Sequence, residues 1–155
     1  MRARVIVASN RAWAGVYADS SGPVLVSGLR QLGFEVPDPV VVPDGEPVGE
    51  ALREAVADGV DAVITSGGTG ITPTDRTPDV TRALLDYEVP GIAEAIRAHS
   101  RERVPNSALS RGLAGVAGRT LIVNLPGSQG GARDGLAVLT QILVHAVQQL
   151  HGSDH

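Results

Sequence analysis

Apolar residues recur along this 155-residue chain in two rhythms, short unbroken runs and spaced stripes, and the two alternate from end to end. Arg4 to Ser9 (RVIVAS) is a β-branched run of strand type; a loop from Asn10 to Asp19 leads into a helical pattern from about Ser20 to Leu32 that Gly33 closes. Phe34 to Val42 reads as a second extended segment, and Pro37 and Pro39 within it suit an edge position or a bend. After the turn Pro43-Asp44-Gly45, the apolar residues Val48, Ala51, Leu52, Ala55 and Val56 recur at three and four. That spacing predicts a helix over Pro47 to Asp58, stopped by Gly59, with Glu46 and Glu50 near its positive end.

Asp61 to Thr65 (DAVIT) predicts a third strand. Beyond a glycine-rich loop, Thr77-Pro78-Asp79 supplies an N-cap, a proline at the first helical position and an early acid for a helix to about Asp86. Pro90-Gly91 opens a further helix to about Arg103, whereas Asn106 to Gly118 fits short strands or turns equally. Arg119 to Leu125 (RTLIVNL) is another strand, followed by the loop PGSQGG. A last helix, from about Arg133 to Leu150, carries the stripe Leu136, Leu139, Thr140, Leu143, Val147 and Leu150.

Strands alternating with helices imply right-handed crossovers and a mainly parallel sheet covered on both faces. Ligands of such sheets bind beyond the carboxyl ends of the strands. Three loops share that edge: Pro43 to Glu46, Ser66 to Arg76, and Pro126 to Gly131.

Composition narrows the picture. A hydrophobic content of 43% over this length is material for one compact domain, residues 1–155. With aromatics at 3%, the core is built from aliphatic residues, as strands buried on both faces require. A net charge of −4 and 13 Lys+Arg spread along the chain argue against a nucleic-acid footprint, so an anion bound here is a small one. The chain has no cysteine, which removes disulfides and thiolate metal sites. It shows no signal-type leader and no apolar run near the roughly 18 residues that span a membrane, so a soluble cytoplasmic protein is expected.

The glycines of Gly67-Gly68-Thr69-Gly70 let several backbone N–H groups approach one point, the chemistry of an anion cradle; an ordinary tight strand-to-helix turn explains them as well. GxGxxG fails because Pro73 stands where a glycine is needed, and no GxxxxGK motif followed by Ser or Thr exists. Asp75 lies just past this loop and Asp44 at the end of the second strand, so the two carboxylates share one edge. Hard oxygen ligands beside a phosphate site suit Mg²⁺ held partly by protein and partly by phosphate. Pro-Asp-Gly is also a turn signature by itself, and Asp75 also fits a solvated loop acid. Pro126-Gly127-Ser128 offers a second backbone loop with a hydroxyl, and also fits a plain turn. Arg11, Arg76, Arg111 and Arg133 lie near loops, where an anion clamp or simple solvation accounts for them. His99, His145, His151 and His155 form no ligand spacing and read as structural or exposed, and no GxSxG exists.

Taken in order, several pieces resemble the MoaB/Mog family of molybdenum-cofactor biosynthesis over nearly the whole chain. They are Arg11-Ala12 with Gly15-Val16-Tyr17 and Asp19, Pro43-Asp44, Ser66-Gly67-Gly68-Thr69-Gly70, Asp75, Thr77-Pro78-Asp79, Pro90-Gly91, Leu109-Ser110-Arg111 and Asn124-Leu125-Pro126-Gly127. The resemblance implies a three-layer α/β/α fold, commonly a homotrimer, acting as a molybdopterin adenylyltransferase. In that reaction molybdopterin and ATP, with Mg²⁺, give adenylyl-molybdopterin and pyrophosphate. Carried over residue by residue, Asp44 and Asp75 are the essential acids and metal-linked groups. Ser66, Gly67, Gly68, Thr69 and Gly70 line the phosphate and pterin site, and Ser100, Ser110, Gly127 and Ser128 add polar contacts.

Such chemistry needs positioning and electrostatic stabilisation rather than a protein nucleophile, which accords with the missing cysteine and histidine sites. The chain departs from the family in three places: Thr74 stands where arginine usually precedes the second acid, Asn10 where many members have an acid, and Gln129-Gly130 where proline and sometimes lysine follow Ser128. A non-catalytic molybdopterin carrier or scaffold is the alternative these departures leave. A downstream molybdate-inserting enzyme is the expected partner; that activity itself belongs to a related domain in longer chains, whose loop does not usually carry the GGTG threonine.

Overall fold

The β-branched runs form one six-stranded sheet in the computed structural model, which describes residues 1–153. Its strands are β1 (Ala3–Ala8), β2 (Val40–Val42), β3 (Ala62–Ser66), β4 (Tyr87–Glu88), β5 (Ala114–Ala117) and β6 (Thr120–Leu125), in the order β2-β1-β3-β6-β5-β4. The first four of that order are parallel, while β5 runs antiparallel to β6 and β4 antiparallel to β5. The helices are α1 (Asn10–Trp13), α2 (Ser21–Gln31), α3 (Glu46–Ala57), α4 (Thr77–Arg82), α5 (Pro90–Ser100) and α6 (Gln129–Leu150), with a 3₁₀ turn at Pro105–Leu109.

Successive residues of a strand point to opposite faces, and here both faces are buried, which is why the runs are apolar without alternation. Val5, Val7, Ile64, Leu121 and Val123 pack with Leu25 and Leu29 of α2, Ile92 and Ile96 of α5, and Leu139, Leu143 and Val147 of α6. Ile6, Ala8, Val63 and Ile122 face the other way, onto Val48, Leu52 and Ala55 of α3. The result is the expected three-layer α/β/α arrangement on a mainly parallel sheet, with the short β2 at an edge.

Several local expectations are corrected. Thr77 is not an N-cap: it is the first residue of α4, its N–H donates to Gly68 O (3.1 Å), and its hydroxyl is buried. The helix ends at Arg82 rather than near Asp86, because the Asp86 N–H donates to Val116 O and the chain joins the sheet as β4. Only Val40–Val42 of the extended segment pairs as a strand, apart from a bridge between Arg2 and Glu35. The helix α5 stops at Ser100 rather than Arg103; Val104 N–H closes onto Ser100 O, and Pro105 has no N–H with which to continue. The last helix starts a turn earlier than expected, since the Ser128 hydroxyl caps it by accepting from Gly131 N–H. Thr140 does not belong to its buried stripe: it is exposed and its hydroxyl donates to Leu136 O. The ambiguous segment resolves into the 3₁₀ turn and β5, and the first loop contains α1. Among the described residues no helix is long and apolar enough to cross a membrane.

Candidate functional site

At the carboxyl edge the backbones of three strands come within contact of one another. Gly67, directly after β3, has φ +97° and donates its N–H to Leu125 O at the end of β6 (3.0 Å). A Cβ at this residue would lie 2.2 Å from Ala8 O of β1, and one at Gly127 would lie 3.1 Å from the Gly67 α-carbon. Only a residue without a side chain fits between these strand ends.

Below this junction a buried polar network fixes α4. Asn124 of β6 donates from Nδ2 to Thr65 Oγ1 of β3 (3.0 Å) and to Thr81 Oγ1 of α4 (3.1 Å), and accepts from Leu113 N–H at Oδ1. Thr81 in turn donates to Thr77 O (2.7 Å). The start of α4 is thereby held beneath the glycine loop.

Above the junction lies a cavity of about 430 Å³ lined by Ser9 to Ala12, Tyr17 and Asp19 of the first loop, Asp44, Ser66 to Gly70, Thr74, Asp75 and Gly127. Both singled-out acids and the whole glycine loop therefore share one space. Ser66 is engaged within the protein: it is fully buried, and its hydroxyl sits 2.8 Å from Ser21 Oγ and 3.1 Å from Pro126 O. Ser100, Ser110 and Ser128 lie elsewhere, in a second cavity of about 520 Å³ with Arg103, Val104, Leu109, Pro126 and Arg133. Thr69 and Gly70 line both cavities and form the wall between them.

The first loop contributes more than spacing revealed. Asn10 Oδ1 accepts from the Asp44 N–H (2.9 Å), and Tyr17 OH pairs with Ser9 Oγ (2.9 Å). Arg11 lies over the Tyr17 ring, 5.4 Å from its centroid. Tyr17 stands in one of the pieces shared with the family and Ser9 in none, and only folding brings the two beside the acids. Of the other arginines, Arg133 lines the second cavity, Arg76 is exposed, and Arg111 is bonded to the loop after β3. His99 and His151 stand opposite Asp134 and Asp61, while His155 falls outside the described residues.

Two buried side-chain atoms, Asp44 Oδ1 and Thr77 Oγ1, have no hydrogen-bond partner among the described residues. Both face Gly68, where a Cβ would lie 2.8 Å from the first and 2.4 Å from the second. Burial pushes the Asp44 carboxyl above its ordinary pKa and the charge of Asp75 adds to this, while the Asn10 backbone pulls the other way. An acid raised in this way holds its proton more tightly in the folded state, so its contribution to stability is present at low pH and is lost as pH rises through the folded pKa. Asp44→Asn is accordingly expected to be more stable than the wild type at about pH 7, with the margin closing as pH falls through the ordinary aspartate range near about pH 4. Urea midpoints at the two pH values measure it; a margin independent of pH would contradict the electrostatic origin.

The sequence profile described as a probable molybdopterin binding domain matches residues 4–146. The chain is 35% identical, over 99% of its own length and 50% of the relative's, to a molybdenum cofactor biosynthesis bifunctional protein of Chlorobaculum tepidum, and so spans half of that protein. It is 36% identical to a molybdopterin adenylyltransferase of Pyrococcus furiosus, covering 93% of this chain and 88% of the relative. Among solved structures, the molybdopterin biosynthesis Mog protein of Mycobacterium ulcerans superposes with a TM-score of 0.93 at 54% identity, covering 98% of this chain and 97% of that one.

Proposed function

This chain belongs to the MoaB/Mog family of molybdopterin-binding proteins, and on that premise we propose that it is a molybdopterin adenylyltransferase. The observation that carries the proposal is the pair of acids, Asp44 and Asp75, in a cavity whose glycine wall is shared with a second cavity. Two neighbouring spaces suit two substrates that must meet. ATP would occupy the first, with its phosphates against Gly68, Thr69 and Gly70, since the Gly67 N–H is already committed to Leu125. The pterin would lie in the second, with Ser100, Ser110 and Ser128 as polar contacts, while Gly127 lines the first.

In the reaction, an oxygen of the terminal phosphate of molybdopterin forms a bond to the α-phosphorus of ATP. The bond from that phosphorus to the bridging oxygen breaks, and pyrophosphate leaves with the electron pair. The protein has to align the two phosphates and compensate their charge.

The site's own residues fit a magnesium ion. Two carboxylates line one cavity, the charge of one disfavours ionisation of the other, and one oxygen is buried without a donor. Among the described residues no group of three or more His, Cys, Asp or Glu could hold a metal by itself. Hard oxygen donors in that number match an ion that keeps water and phosphate oxygens in its shell. Bound there, Mg²⁺ would neutralise charge building on the α-phosphate and the leaving pyrophosphate.

Purified protein incubated with molybdopterin, ATP and Mg²⁺ is expected to yield adenylyl-molybdopterin and one pyrophosphate per turnover. Tight pterin binding without product would favour the carrier. The homotrimer implied by the family is checked by sedimentation, where a monomer would count against it.

A further inference from the structure

We propose that Arg111 is a positioning residue that holds Asp75 in place by fastening both ends of the turn from Gly70 to Asp75; this rests on the role given to Asp75 above. Arg111 follows Ser110 of the second cavity, and its backbone N–H donates to Thr69 O (2.7 Å) in the shared wall. Its guanidinium then spans the turn: Nε donates to Gly70 O (3.0 Å) at one end and Nη2 to Asp75 O (2.7 Å) at the other. The same plane is anchored from beneath by Asp79 of α4, whose two carboxylate oxygens accept from Nη1 (3.2 Å) and Nη2 (3.1 Å).

The turn has little else to hold it. Ile71, Thr72, Pro73 and Thr74 are all exposed, so core packing does not fix them. Inside the turn, Thr72 N–H donates to Asp75 Oδ2 (3.1 Å) and Asp75 N–H to Thr72 O (3.0 Å). A Cβ on Gly70 would lie 2.7 Å from Asp75 Oδ2, so the carboxylate rests against that residue's backbone. The internal bonds fold the turn on itself, and the arginine fixes the folded unit to the cavity wall. An exposed arginine–aspartate pair contributes little stability alone. Its planar fork, however, serves two carbonyls and a carboxylate at once, which the single ammonium of lysine cannot do. This assignment also makes Arg111 a poor anion clamp, because four of its five side-chain N–H donors are committed inside the protein.

Arg111→Lys, Arg111→Gln and Asp79→Asn test the proposal on the intact protein. The readouts are amide exchange over residues 70–76, Mn²⁺ affinity in the presence of ATP followed by electron paramagnetic resonance, and kcat and KM for ATP. For Arg111→Lys and Arg111→Gln, exchange across the turn is expected to rise about 10-fold, with Mn²⁺ affinity about 10-fold weaker, as outer-shell losses at metal sites produce. KM for ATP should rise with them, and Asp79→Asn should follow in the same direction to a smaller extent. Exchange or Mn²⁺ affinity in Arg111→Lys equal to wild type overturns the proposal, as does a lower melting temperature with Mn²⁺ affinity unchanged. Weakened Mn²⁺ binding in that variant, beside a wild type that makes no adenylyl-molybdopterin, would defeat the transferase reading and leave the positioning role standing.

Discussion

Asp75→Asn is expected to slow adenylyl transfer by about 100-fold at saturating ATP, in line with the loss of a carboxylate proposed to hold the charge-compensating cation at a transfer site. The substitution keeps the shape of the side chain and an oxygen able to accept from Thr72 N–H, so the turn has no reason to refold. What it removes is the negative charge facing the first cavity. The melting temperature should therefore stay near that of the wild type while the rate falls, and extra Mg²⁺ should restore only part of the loss. Steady-state rates at several Mg²⁺ concentrations measure this. A rate within a few-fold of wild type would take Asp75 out of the chemistry.

The largest effect on stability is expected from Gly67→Ala. Here the residue is not open space around a flexible loop: φ is +97°, and the new methyl would sit 2.2 Å from the carbonyl oxygen of Ala8. That carbonyl belongs to β1, which is paired on both sides, so it has no room to retreat. Strain of the backbone and overpacking against main chain together should cost about 3 kcal/mol. For a domain of this size that is about 10 °C in melting temperature, readable by calorimetry. Gly130→Ala, in the first turn of α6 with nothing within 4 Å of a Cβ, is the control and should keep or slightly raise the midpoint. Similar midpoints for both variants would show that β1 and β3 can separate at this end, contrary to the packing described.

Much of this arrangement was legible before folding. Each of the long strands and helices lies within a few residues of where the apolar rhythm places it, because a strand buried on both faces and a helix buried on one leave different spacings. The carboxyl-edge rule brought Asp44, the glycine loop and Gly127 together without coordinates. The misreadings share a cause. Thr77 has the residue type of a cap, but a contact to Gly68 outweighs that local preference and turns its hydroxyl inward. Leu84 to Asp86 continue a helical pattern, yet a pairing with Val116 takes the chain into the sheet. Glycines at 130 and 131 argue against a helix, and the Ser128 cap starts one regardless.

The sequence by itself determined the α/β class and the order of the main elements, since these depend on periodicity, and it put Asp44 and Asp75 at one edge of the sheet, since both follow strand ends. Only the tertiary structure decided that the expected site residues divide between two cavities with Thr69 and Gly70 between them. It alone decided that Asn10 supports Asp44 and that Arg111 braces the Asp75 turn rather than facing a ligand. The reason is physical: Asn10 and Asp44 are 34 positions apart and Arg111 and Asp75 are 36, and hydrogen bonds at such separations leave no period in the chain from which they could be read.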